Sequence, residues 1–396
     1  MNQIDIRTER GEYVGGETVY GVVYLRINTA TGAEFVVLKF KGYEKCECLK
    51  NLGSFTSFRD MPEKKHVRKD DKRGYENLLL GKKFYFNTTI KLWEDKGPLP
   101  RGHYVLPFQY QLPPDLPGNY ANEGYGYKNW KGIVKYKVKA FVAELDEPLK
   151  HTQPLIIRPF RNAKVSPVPQ SVTGAVRKCF CYSGGEVMVE IKLNKAVYTA
   201  GEVAVLQIAI CNNSQEDIHS IRVHLQRTTK LLGWTNAIES DDENDNDSVN
   251  GTEYSGKPDQ CVYPEAFVTV WGKNVEGIPK SEDKDKVIHN KQVKIPLYET
   301  LASQNMVIPV LPTTLGTLVR CAYYVTVDVD VPYSPDISVV TPIVAIQASG
   351  NEHWANWKPP DWVARCQVQQ PASECSVRQS ILDSDVFSTI PPFHPT

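Results

Sequence analysis

The feature that most constrains the fold is a repeat. Ile4 and Ile6, followed by Tyr13-Val14-Gly15-Gly16-Glu17, return as Val189 and Ile191, followed by Tyr198-Thr199-Ala200-Gly201-Glu202, at a constant offset of 185 residues. Each copy reads as a strand, a glycine-containing turn and a second strand, and glycine supplies a turn conformation that a side chain resists. A second echo lies late in each half. Leu112-Pro113-Pro114-Asp115-Leu116 precedes an alternating strand at Val134, and Leu311-Pro312-Thr313-Thr314-Leu315 precedes one at Val325. Chance turns explain either echo but not both in the same order, so the chain is expected to hold two copies of one domain. Its 396 residues agree, because a single core stops growing before that size.

The alternation between the echoes sets the class. Val134, Tyr136, Val138, Ala140 and Val142 share one face, with Lys135, Lys137 and Lys139 on the other. Val187 to Leu193, Ile221 to Leu225 and Val325 to Val331 alternate in the same way, each reading as a strand with one face in a core and one in water. Long helical periods with caps are missing, and 27 prolines and 26 glycines punctuate the short strands. The expected class is an all-β sandwich fold. The Pro- and Gly-bearing stretch from Pro159 to Gly185 reads as the boundary, giving domains at 1–168 and 169–348. The acidic run from Asp241 to Asp247 reads as a mobile loop, and 349–396 as a flexible, extended tail.

Composition narrows the function classes. Lys plus Arg and Asp plus Glu both total 46, so no global positive field points to nucleic acid, and anion binding must come from a local patch. No stretch approaches the apolar length of a spanning helix. Met1-Asn2-Gln3 opens no signal peptide, position 2 is not a myristoylation Gly, and no prenylation Cys closes the chain. The expected location is cytoplasmic, with membranes met only peripherally and the nine cysteines mostly reduced, and the resemblance given below implies that those membranes are the plasma membrane or endosomes.

Chemistry-bearing motifs are sparse. No Gly-x-Ser-x-Gly elbow, Walker loop or His-Glu-x-x-His is present, so no catalytic residue and no cofactor is expected. Cys46-x-Cys48 and Cys179-x-Cys181 together offer four thiolates, but their spacing is tighter than structural zinc sites usually use and they lie in different halves. Buried thiols are the favoured reading, and no metal is expected. Between Arg59 and Arg73, Lys64, Lys65, Arg68, Lys69, Lys72 and Arg73 form a candidate patch for acidic phospholipid headgroups or phosphorylated tails. Asp60, Glu63, Asp70 and Asp71 interleave with them and favour a solvated loop instead.

The ordered motifs resemble the alpha-arrestins (arrestin-domain-containing proteins). In the first half they are Tyr13 to Glu17, Gly102-His103-Tyr104 leading to Phe108-Gln109-Tyr110-Gln111-Leu112-Pro113, and Ile133 to Phe141. In the second they are Cys179-Phe180-Cys181, Tyr198 to Glu202 and Tyr324 to Val329. The resemblance covers about residues 1–348. It implies two tandem immunoglobulin-like sandwiches cupped side by side. It also implies a non-enzymatic trafficking adaptor that binds cytosolic tails of integral membrane proteins and links them to ubiquitin ligases or endosomal sorting. Alpha-arrestin tails often carry Pro-Pro-x-Tyr motifs for WW domains of HECT-type ligases, where a preformed polyproline turn and one aromatic fill a groove. Here the degenerate counterparts are Pro359-Pro360-Asp361-Trp362 and Pro391-Pro392-Phe393-His394, with Trp362 and His394 in place of tyrosine. The alternative expectation for Trp354, Trp357 and Trp362 is that they fold back against the second sandwich. A retromer-like coat subunit with an arrestin fold, or a phosphorylation-sensing receptor arrestin, are the rival readings.

Overall fold

A computed structural model describes residues 1–29, 35–49, 78–94, 99–124, 130–142, 149–159, 167–178, 182–235, 259–261, 268–280, 287–301, 306–332, 334–343 and 345–368. The first half runs β1 (Gln3–Thr8), β2 (Glu12–Val14), β3 (Thr18–Ile27), β4 (Phe35–Leu49), β5 (Leu78–Glu94), β6 (Gly102–Gln111), β7 (Tyr120–Gly124), β8 (Trp130–Val142) and β9 (Leu149–Arg158). The second half runs β10 (Gln170–Lys178), β11 (Tyr182–Leu193), β12 (Val197–Thr199), β13 (Val203–Ser214), β14 (Ile218–Thr235), β15 (Asp259–Cys261), β16 (Val268–Ile278) and β17 (Ile288–Pro296). It continues with β18 (Tyr298–Leu301), β19 (Met306–Pro309), β20 (Thr314–Leu315), β21 (Val319–Asp330), β22 (Ile337–Ile343) and β23 (Ala345–Gln347). The last part adds a short helix α1 (Glu352–Ala355), a 3-10 turn (Val363–Arg365) and β24 (Gln367–Val368).

The class is all-β, as the alternation requires. In the first half β1-β3-β6 packs over a sheet ordered β2-β9-β8-β4-β5. In the second, β10-β11-β13-β17 packs over a sheet built on β14 and β21. Ile4, Ile6, Val23 and Leu25 of one sheet meet Leu38, Phe40, Val138 and Ala140 of the other in the buried core. The two halves share one sheet, because β5 pairs with β14 through Leu80↔Trp234 and Leu79↔Thr235.

The repeat survives at atomic detail. Gly16 and Gly201 both hold positive φ, +80° and +91°, the region where a Cβ is strained. The hydroxyls of Tyr13 and Tyr198 each accept from a backbone N–H three residues upstream, at 3.1 Å in both copies. Arg10 reaches Glu17 at 3.4 Å, as Lys195 reaches Glu202 at 3.2 Å. β2 pairs in parallel with β9 and β12 in parallel with β23. The late echo is displaced. Leu112 N–H donates to the Glu17 carbonyl at 2.9 Å, and its counterpart is Leu297 N–H to Glu202 at 2.9 Å, not Leu311. The hairpin β18-β19 is inserted after Leu297 in the second copy alone, pushing the Leu-Pro pair downstream.

Candidate functional site

The tail forms the most distinctive surface feature. The tryptophans turn back, but onto the first sandwich rather than the second, and the expected extended tail is folded against the protein from Asn351 to Val368. The starting point explains the direction. β23 ends at the seam, where the Arg158 guanidinium bridges Gln347 and Glu12, the latter at 2.6 Å. Asn351 Nδ2 then donates to the carbonyls of Gly11 and Pro154, both at 3.1 Å, and its Oδ1 accepts from Trp354 N to start α1.

From there the segment crosses the outer face of β1-β3-β6 as a strap. Trp354 Nε1 donates to the Thr8 carbonyl at 2.9 Å, and Trp357 Nε1 to Asp5 Oδ2 at 3.0 Å. The Arg7 guanidinium lies 3.9 Å from the Trp354 ring centre and 4.8 Å from that of Trp357. The Trp357 ring stacks on Tyr24 at 6.3 Å. Trp362 and Val363 close over Val22, Tyr24 and Val105, leaving Trp362 only 6% exposed. β24 finally adds to the free edge of β6 in parallel, Gln367 opposite Tyr104 and Val368 opposite Val105. The sequence carries a mark of this acceptor face that the expected docking on the second sandwich passed over. β3 reads Val-Tyr-Gly-Val-Val-Tyr-Leu, apolar on both faces, which a sheet with one wet side does not need.

The strap shapes the titration of what it covers. Burial pushes the Cys366 thiol up to about 12 and raises the Tyr24 phenol above its ordinary range. His151 sits beneath α1 in an open cleft of about 490 Å³, also lined by Asp5, Glu352, His353, Trp357 and Lys358. Its Nδ1 accepts from Ile6 N–H at 3.1 Å and lies 3.2 Å from Asp5 Oδ1. Burial lowers its pKa below the ordinary value. Asp5 opposes that shift and His353 adds to it.

A second polar cluster ties the halves together. Glu44 of β4 is fully buried, and its Oε2 accepts from the backbone N–H groups of Leu318 at 3.0 Å and Val319 at 3.3 Å. Gly316 is required beside it, since a Cβ there would collide with Glu44 Oε2. Lys83 Nζ donates to Thr317 Oγ1 at 2.7 Å, and Thr314 Oγ1 to the Gly118 carbonyl at 2.8 Å. Burial, with the Glu44 charge beside it, raises the Tyr85 phenol.

The candidate residues read from the sequence are distributed unevenly. Pro359 and Asp361 are exposed, Pro360 is half-buried and Trp362 is buried, so the aromatic of that motif is withdrawn from water. Pro391 and Pro392 lie outside the described residues, as do Lys64, Lys65, Arg68, Lys69, Lys72 and Arg73, the acidic run at 241–247, and Cys179 and Cys181. Cys46 and Cys48 are buried, with Cys46 Sγ donating to the Leu232 carbonyl at 2.7 Å across the seam. Among the described residues no group of His, Cys, Asp and Glu has metal-site geometry. No helix among them is long and apolar enough to cross a membrane.

Residues 2–161 match the family described as arrestin (or S-antigen), N-terminal domain, and residues 183–347 match arrestin (or S-antigen), C-terminal domain. The chain is 30% identical over 233 residues to an "Arrestin domain-containing protein A" of Dictyostelium discoideum, covering 58% of this chain and 38% of that protein. It is 25% identical over 134 residues to "Phosrestin-1" of Drosophila melanogaster, covering 33% of each. It is 30% identical over 139 residues to an "Arrestin homolog" of Heliothis virescens, covering 34% of this chain and 36% of that protein. These matches span between a third and two fifths of each relative's length.

Proposed function

Because the chain belongs to the arrestin family, carrying both arrestin domains in order, we propose that it is a non-enzymatic trafficking adaptor. Its domains, 1–168 and 169–348, take cytosolic segments of membrane proteins and link them to ubiquitination or endosomal sorting machinery. The observation that supports this reading is the pair of arrestin domains joined through one sheet at β5 and β14. An extended cargo peptide would add to a sheet edge, where backbone groups give affinity and alternate side chains give selectivity. The tail from 349 would recruit a second partner and raise its local concentration near the cargo.

Burial of Trp362 bears on that second step. A WW domain needs the aromatic that the strap keeps under Val22 and Tyr24, so ligase recruitment through Pro359, Pro360 and Trp362 requires the strap to lift. The same burial favours a second reading, a retromer-like sorting subunit whose tail is a structural part and whose partners all meet the domains. Affinity capture with mass spectrometry from native cells tests both readings, with the intact chain, Pro359→Ala and Trp362→Ala as baits. A WW-domain ligase lost with Pro359→Ala supports ligase recruitment. A fixed stoichiometric set of partners, the same on all baits and without a ligase, supports the sorting subunit. Failure to recover any membrane protein or sorting component with the intact chain would sink the adaptor reading.

A further inference from the structure

The repeat extends to strand pairing, residue by residue. Ile4 stands opposite Leu25 in the first copy, and Val189 opposite Ile210 in the second. Gly21 stands opposite Phe108, and Leu206 opposite Val293. Each position moves by the same 185 residues, so β11, β13 and β17 correspond in register to β1, β3 and β6. Each copy then gains one further strand, but on opposite edges. The first sheet reads β1-β3-β6-β24, with the added strand on β6, and the second reads β10-β11-β13-β17, with the added strand on β11. The β6 edge accepts Gln367 and Val368 opposite Tyr104 and Val105. Its counterpart is the far edge of β17 around His289 and Asn290, where no strand pairs among the described residues.

The outer edges of β1 and β10 are blunted. On β1 the Ile6 N–H is taken by Asp5 Oδ1 at 2.8 Å and His151 Nδ1 at 3.1 Å. β10 carries a register shift between Ala175 and Arg177, and its Gly174 lies so close to Ile337 of β22 that a Cβ would collide with that side chain. Bulges and covering groups are how sheets refuse a further strand. β17 instead pairs with β13 over all nine of its residues without a register shift, and its proline is the last of them. Its charges have one sign, with His289, Lys291 and Lys294 and no acid among them, whereas β6 has neither Lys nor Arg. Among the described residues neither Lys291 nor Lys294 is held by a carboxylate. Lysines on an edge repel basic strands and attract acidic ones, so here they select a partner.

We propose that the far edge of β17 is a docking strand for an extended, acidic peptide from the cytosolic part of a cargo membrane protein. The peptide adds to this sheet as β24 adds to β6, with its backbone groups paired to β17. Lys291 and Lys294 lie on opposite faces of the strand, because side chains alternate. Lys294 is exposed with Asn290 and Gln292, while Lys291 is half-buried with His289. A fitting peptide therefore carries acids on both of its faces, at positions an odd number apart, around a β-prone centre. The inference rests on the adaptor reading and gives its cargo segment an address on the second sandwich. It is tested with the purified chain and synthetic peptides. Its failure leaves the capture experiment standing, and a failed capture leaves a peptide-binding edge without a trafficking role.

The test is panning of a library of random short peptides on the purified full chain, followed by fluorescence polarisation of the strongest binder. Acidic sequences are expected to be enriched. Saturation with that binder should slow amide exchange across 288–296 and leave 3–8 and 170–178 as they were. The combined Lys291→Glu, Lys294→Glu chain should bind it on the order of ten-fold more weakly, since two surface ion pairs become repulsions. Lys294→Glu alone, at an exposed position, serves should the double variant fold poorly, and should cost roughly three-fold or more. Lys192→Glu, exposed on β11 away from the edge, is the comparator and should bind like wild type. Methylating alternate backbone nitrogens of the peptide should abolish binding in one of the two phases and spare it in the other. The proposal is overturned if no acidic sequence is enriched, if exchange protection falls on β1 or β10, or if both methylated peptides bind as well as their parent.

Discussion

Replacing Trp362 with alanine isolates what holds the strap to the first sandwich. The ring is 6% exposed and packs on Val22, Tyr24 and Val105 with Val363 beside it. An aromatic of this size hides about 150–250 Å², which at ~25 cal/mol/Å² is about 4–6 kcal/mol. Alanine keeps part of that contact, so a Trp→Ala change that leaves its site in place costs about 3–5 kcal/mol. The strap has another option, because it can lift away as a unit once its anchor is gone, which caps the loss at its own docking free energy. The expected result is therefore local. Amide exchange should speed up throughout 351–368, including β24, and tryptophan emission should shift to the red, while the melting of the two sandwiches moves little. If Trp362→Ala instead lowers the melting temperature of the whole protein and leaves 351–368 protected, the ring is an ordinary core residue and the strap argument is wrong.

Three further outcomes follow from the same geometry. Arg7→Lys removes the flat guanidinium lying over Trp354 and Trp357, so it should weaken strap docking by about 1–2 kcal/mol, seen as faster exchange at 352–358 with the charge retained. Equal protection in both proteins would show that charge alone suffices. Glu44→Ala leaves the Leu318 and Val319 N–H groups buried without an acceptor, each costing about 1–3 kcal/mol, so denaturation should begin markedly earlier. A denaturation curve matching wild type would refute the role of Glu44 at the seam. His151 has a folded pKa below its ordinary value of 6.5, so the undocked imidazole takes its proton first. Its contribution is full above the ordinary value and is lost as pH falls through it toward the folded pKa. With Asp5, His353, Glu352 and Lys358 around it, strap protection should fall on acidification, and His151→Gln should flatten that dependence. An unchanged pH profile in His151→Gln would assign the effect elsewhere.

Much of the architecture is legible in the sequence. The offset of 185 residues predicted two copies, and the side-chain period of two on the strands around Val134, Val187, Ile221 and Val325 predicted sandwiches with one dry face each. Tyr13, Gly16 and Glu17 could be matched to Tyr198, Gly201 and Glu202 because a turn built on a positive-φ glycine leaves a local mark. The late echo was misaligned, since an inserted hairpin changes spacing without changing motif order.

The tail and the surfaces depended on long-range pairing. Trp354, Trp357 and Trp362 are visibly too apolar to stay in water, but which sandwich receives them is decided by where β23 ends and by the outward ring of Tyr24, far away in the chain. Lys39 and Lys139 are separated by a hundred residues, and strand register alone sets them face to face. The cation cluster singled out in the sequence, Lys64 to Arg73, is local. The pairing of Lys39 with Lys139 could not be seen that way, because side-chain alternation assigns each residue to a face while hydrogen-bond pairing between distant strands decides which residues stand opposite.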